Sequence, residues 1–117
     1  MSKKKHRQLP KTVKYICFAY EGIIVGGSAN AIINDLGGDI ADYDIIIPVS
    51  VWPSILLWVP HNGLDFKLNS FGGFKINDNG TEIDLWPEDL HHYIASNNAG
   101  QFLYRPLGGY YFELKRL

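Results

Sequence analysis

The run Asp42-Tyr43-Asp44-Ile45-Ile46-Ile47-Pro48 leaves this chain few choices. Three consecutive isoleucines are stiff at χ1 and favour an extended strand, in which residues two apart share a face. Asp42 and Asp44 therefore project together, while Tyr43 and Ile45 point the other way, toward a core. Pro48 ends the strand. Two neighbouring carboxylates repel, and folding alone does not call for them. A divalent cation removes the conflict, because hard ions such as Mg2+ are held by carboxylate oxygens and keep positions open for substrate phosphates. An exposed Asp pair at the mouth of a strand is the plain alternative for an isolated Asp-x-Asp.

With 117 residues, 46% of them hydrophobic, the chain suits one globular domain with one core. No apolar run approaches the roughly 20 residues that span a bilayer, and nothing before Lys14 resembles a secretory leader. The expectation is a soluble, cytoplasmic protein with no membrane contact. Cys17 is the only cysteine, which excludes an internal disulfide and a cysteine zinc site. Its apolar neighbours Ile16 and Phe18 read it as a buried thiol rather than a nucleophile.

Charge is unevenly spread. Residues 1–14 hold Lys3, Lys4, Lys5, Arg7, Lys11 and Lys14 with no acid, so most of the 12 Asp and Glu stand unmatched in the remainder. Residues 1–10 read as a basic, flexible tail and 11–117 as the domain. Such a tail either tracks a phosphate backbone or is solvated and disordered. The acidic body argues against a general nucleic-acid-coating protein and suits a site that recruits metal ions.

Taken in order, the spacing of Val13, Ile16, Cys17 and Tyr20 predicts a helix after Pro10, stopped by Gly22. Ile23-Ile24-Val25 is a short apolar strand, and Gly26-Gly27-Ser28 leads from it into a helix over 29–36 that Gly37-Gly38 ends. Glycines let a backbone approach an anion closely, a helix start offers free N–H groups, and Ser28 adds a hydroxyl donor, so the turn can cradle a phosphate. The alternative is a tight strand-to-helix turn with Ser28 as N-cap. The Lys-Ser/Thr pair of a Walker A loop is absent.

The acid-bearing strand covers 39–47, and 49–59 reads as a short helix with Ser50 as N-cap and Pro53 in its first turn. Residues 60–63 turn the chain, and Leu64, Phe66 and Leu68 alternate with Asp65 and Lys67 as in a strand. After a bend at 69–73, Phe74–Ile76 and Thr81–Trp86 flank Asp78-Asn79-Gly80, a strong hairpin signal. The return strand carries a third carboxylate. Asp84 shares a face with Glu82 and Trp86, and would join Asp42 and Asp44 if this strand lay beside 42–47. A short helix over 88–95 carries His91 and His92, which point about 100° apart and read as surface positions. Two strands, 101–107 and 110–114, surround Gly108-Gly109 as an aromatic hairpin or edge addition.

Val25-Gly26-Gly27-Ser28, Asp42-Tyr43-Asp44-Ile45 and Ile83-Asp84-Leu85 together resemble the pattern of the DNA-polymerase-β-like nucleotidyltransferase superfamily, over roughly residues 23–86. The resemblance implies an α+β domain with a mixed, mostly antiparallel sheet and helices packed on one face. It implies a transferase that binds a nucleoside triphosphate such as ATP and passes the nucleoside monophosphate to an acceptor, releasing pyrophosphate. Asp42, Asp44 and Asp84 would be catalytic and metal-binding, holding two Mg2+ ions, or Mn2+ in their place, and Asp84 would help activate the attacking hydroxyl. Gly26, Gly27 and Ser28 would hold the phosphates, with Lys75 or Lys67 assisting. About 30 residues follow Asp84, too few for the extra helical domains of polymerases, so the expectation is a minimal member. Its acceptor would be a protein, a small molecule or an RNA end, with the basic tail or the aromatic C-terminal hairpin meeting an RNA or protein partner. The second reading is a catalytically weak, antitoxin-like module that binds a nucleotide or a protein.

Overall fold

The computed structural model describes residues 9–33, 40–69, 72–96, 102–107 and 110–115. In chain order the elements are α1 (Lys11–Ala19), β1 (Ile23–Val25), α2 (Gly26–Ile33), β2 (Asp42–Ile47), a 3-10 turn over Val49–Val51, α3 (Trp52–His61), β3 (Asp65–Leu68), β4 (Phe74–Asp78), β5 (Thr81–Pro87), α4 (Leu90–Ser96), β6 (Phe102–Leu107) and β7 (Tyr110–Lys115). The strands form one mixed sheet in the order β3-β4-β5-β2-β1-β7-β6. The pairs β2–β5 and β1–β7 are parallel, and the other four are antiparallel. The result is a single-domain α+β fold.

The strand alternation read from sequence builds the core. Tyr43, Ile45 and Ile47 of β2, Ile83 and Leu85 of β5, Phe74 and Ile76 of β4 and Ile24 of β1 pack with Val13, Ile16 and Cys17 of α1, Ala29 and Ile32 of α2, and Ile55 and Val59 of α3. Full burial of an isoleucine contributes about 1.5–3 kcal/mol, so this layer dominates the favourable side of folding. Leu9 is buried in it as well, so the folded body begins inside the stretch assigned to the tail; residues 1–8 lie outside the described part.

Helix α4 departs from the expected one-sided arrangement. It sits at the end of β2 and β5, where Leu90 borders a cleft with Cys17 and Phe18, while Tyr93 and Ser96 border one with Ile46 and Trp86. Two bonds fix its approach: Glu88 N–H donates to the Ile47 carbonyl at 2.9 Å and Val49 N–H to Asp89 Oδ1 at 3.0 Å.

Several boundaries shift for local reasons. Helix α3 runs through Pro60, because a proline in the last turn removes one hydrogen bond only. Asn62 then closes the end, its side-chain amide donating to the Trp58 carbonyl at 2.8 Å. The Asn79-Gly80 turn has φ of 51° and 90°, the left-handed pair that a two-residue hairpin needs. β3 pairs on one side only, with β4, so the apolar face expected for it stays largely in water, with Leu68 75% exposed. The C-terminal strands do form a hairpin, and β7 enters the sheet beside β1. Of the expected α2 end, 34–38 lies outside the described residues, as does the loop 97–100.

Candidate functional site

The register of the sheet assembles the site. Asp44 pairs with Asp84 across β2 and β5, Lys75 of β4 pairs with Asp84, Lys67 of β3 pairs with Lys75, and Val25 of β1 pairs with Asp44. One row across the sheet therefore reads Lys67, Lys75, Asp84, Asp44, Val25. In the next row on the same face, Asp42 pairs with Glu82 and Glu82 with Asn77. The core residues Tyr43, Ile45, Ile83 and Leu85 alternate with these positions, so all three predicted acids occupy the face turned away from α1, α2 and α3. Neighbouring strands lie about 4.8 Å apart and residues two apart about 6.6 Å along a strand, so the three positions are near neighbours on this face. Among the described residues, no group of three His, Cys, Asp or Glu side chains is already gathered closely enough to hold a metal ion.

Electrostatics mark Asp44 and Asp84 out. Burial, then the neighbouring Asp84 and Asp42, raise the Asp44 carboxyl above its ordinary value of 3.8, against a lowering pull from Lys75. Burial raises Asp84 too, and Lys75 opposes it while Asp42 adds to it. Lys75 reaches Glu82, with Nζ 3.7 Å from Oε2. The face thus holds oxygen donors whose repulsion one lysine only partly offsets, a donor set that suits a hard divalent cation.

The glycine turn lies directly against Asp44. α2 begins at Gly26, with no intervening loop, and Gly26 has φ of +69°. A Cβ built there would stand 3.2 Å from Asp44 Oδ2. Both the left-handed backbone and the closeness of the carboxylate require glycine. Gly27 faces open space.

Ser28 is the departure. It lies inside the helix rather than at its N-cap and is buried, its hydroxyl donating to the Val25 carbonyl at 3.1 Å and accepting the Asp44 N–H at 3.3 Å. A hydroxyl has one proton. With that proton on Val25, Ser28 couples α2 to the acid strand instead of presenting a donor to a phosphate.

Asp44 opens into a cleft of about 540 Å3, whose walls include Gly26, Ile46, Trp86, Glu88 and Tyr93. A second cleft, about 320 Å3, lies farther along the same face between Lys67, Lys75, Asn77 and Glu82. Trp86 has the same strand parity as Asp84 and was readable on that ground, whereas no local signal marks Tyr93 or Glu88, whose position depends on α4 crossing the strand ends. His91 and His92 are exposed. The aromatic side chains of the C-terminal hairpin lie outside the described part. No helix among the described residues is long and apolar enough to cross a membrane. Compared with models of protein families, with curated proteins and with solved structures, the chain matches none.

Proposed function

We propose that the protein is a metal-dependent nucleotidyltransferase acting on a nucleoside triphosphate. The observation that carries this reading is the Asp44–Asp84 register with Gly26 packed against Asp44: paired acids beside a glycine turn at a helix start, with Asp44 and Gly26 bordering one cleft. Asp42, Asp44 and Asp84 would hold Mg2+, which when bound neutralises charge on the attacking and leaving oxygens. An acceptor hydroxyl attacks the α-phosphorus, forming a P–O bond as the α–β phosphoanhydride breaks and pyrophosphate leaves. Asp84, raised by burial, is suited to take the hydroxyl proton. The α2 start and Gly26 line the phosphate side, and Lys75 adds a cation one strand away. The acceptor class, whether protein, small molecule or RNA end, is set by whatever docks on this face.

Calorimetric titration with each of the four ribonucleoside triphosphates, with Mg2+ and then with EDTA, tests this. The expected result is Mg2+-dependent binding that Asp44→Asn abolishes while the variant stays folded. Binding that ignores both EDTA and the variant would refute the assignment.

One observation favours the second reading, a catalytically weak module that binds a nucleotide or a protein. The Ser28 proton is committed to Val25. Magnesium-dependent binding with no pyrophosphate release in the presence of candidate acceptors is the outcome that reading predicts.

A further inference from the structure

The outer face of α1 is untouched by the site just described. Lys11, Lys14, Tyr15 and Phe18 fall at i, i+3, i+4 and i+7, one stripe on the helix, opposite the buried Val13, Ile16 and Cys17. Trp58 of α3 extends the stripe: its ring stacks on Tyr15 with centroids 5.1 Å apart and planes at 22°. Tyr20 braces both rings, at 6.1 Å from Tyr15 and 5.8 Å from Trp58. Between these side chains lies an open cavity of about 490 Å3 bordered by Lys11, Lys14, Tyr15, Phe18 and Trp58.

Phe18 is 81% exposed and Tyr15 47%. Neither ring belongs to the core cluster, so the fold itself gives no reason for a phenyl group at 18. An exposed aromatic patch of this kind marks a contact surface. Its charge narrows the partner. Lys3, Lys4, Lys5 and Arg7 lie just ahead of Lys11 and Lys14, and the first acid in the chain is Glu21. Rings alone would suit an apolar protein surface, and cations alone would suit a duplex, whose bases are stacked inside. A single strand uses both, since every unstacked base has a face to offer and every nucleotide carries a phosphate.

We propose that this face binds single-stranded nucleic acid, with bases stacking on Phe18 and on the Tyr15–Trp58 pair and phosphates following Lys11 and Lys14. The surface lies across the sheet from Asp44 and Asp84, so the assignment is independent of the nucleotidyltransferase reading.

Fluorescence anisotropy of the full chain with a labelled oligouridylate of about 12 nucleotides, and with the same strand in duplex, tests it. The single strand is expected to bind about tenfold or more tightly than the duplex. Phe18→Ala should weaken binding about tenfold, the scale of one lost stacking contact, with an unchanged melting curve because the ring is exposed. Changing Lys11 and Lys14 together to alanine should flatten the dependence of log Kd on log salt by about 1.4, at about 0.7 per phosphate contact on a single strand. Absence of binding at low salt would overturn the proposal. So would an affinity that Phe18→Ala leaves unchanged, which would assign binding to the basic segment alone. Sedimentation showing self-association that Phe18→Ala abolishes would give the face to a second copy of the chain and likewise overturn it.

Discussion

Asp44 and Asp84 are register partners on parallel strands, so one hydrogen-bonded ladder holds both carboxylates on the same face of the sheet. Like charges fixed in this way store an unfavourable interaction that the isoleucine-rich opposite face of the same strands offsets. The arrangement is consistent with selection for a ligand rather than for stability.

That interaction has a pH signature. The raised Asp44 carboxyl binds its proton more tightly folded than unfolded, so the folded state loses stability as pH rises from the ordinary value of 3.8 through the raised one. Below 3.8 the penalty is absent; above the folded value it is fully present. Asp44→Asn should therefore stabilise the protein at neutral pH by up to about 1 kcal/mol, with the gain vanishing in acid. Urea midpoints of both proteins across this range test it, and a variant less stable at neutral pH would mean that the carboxylate makes a structural contact.

Gly26→Ala puts a side chain where the backbone is left-handed and Asp44 Oδ2 is 3.2 Å from the new Cβ. The backbone strain costs about 1–2 kcal/mol. Equilibrium unfolding should show that loss, and any Mg2+-dependent triphosphate binding should fall with it. Gly27→Ala, which meets nothing, should leave triphosphate binding closer to normal.

Ser28→Ala removes the hydroxyl that joins the Val25 carbonyl to the Asp44 N–H. Leaving those groups unpaired is expected to cost about 1–3 kcal/mol. Hydrogen exchange at the Asp44 amide should accelerate selectively. If Ser28 instead served a phosphate directly, triphosphate affinity would drop with no change in that exchange rate.

Burial pushes the Cys17 thiol up to about 12. Its thiolate is therefore scarce at neutral pH, and the thiol is packed among core residues. Labelling by a thiol reagent should be slow in the native protein and should follow unfolding as denaturant is added. Rapid labelling without denaturant would show that the α1 face of the core opens readily.

Period-two alternation made the acid strand, its parity with Asp84 and the Asn79-Gly80 hairpin readable, because each depends on residues within a few positions of one another. The strand order was not readable. Nothing local tells Ile23–Val25 to sit between β2 and β7, or β5 to pair in parallel with β2; both follow from how the whole apolar layer is covered. The same limit hid the cleft: Trp86 was legible as sharing a face with Asp84, whereas Tyr93 comes to Asp44 and Trp86 only through α4. The partner of Ser28 was not readable for a different reason, since a serine after two glycines has the same sequence whether its hydroxyl faces a ligand or its own strand. Phe66 and Leu68 gave a sound strand signal whose burial failed, because an edge strand has no neighbour to cover it.

The pairing of β1 with β7 bears on how the chain is made. β1 leaves the ribosome well before its second partner, Tyr110–Lys115. During that interval the nascent chain carries an open seam beside Ile23 and Ile24, in the middle of what will be a continuous sheet. An unfilled seam of apolar strand is a template for pairing with other chains. Shielding of the seam until β7 has been made, by a chaperone for instance, becomes the step on which yield depends.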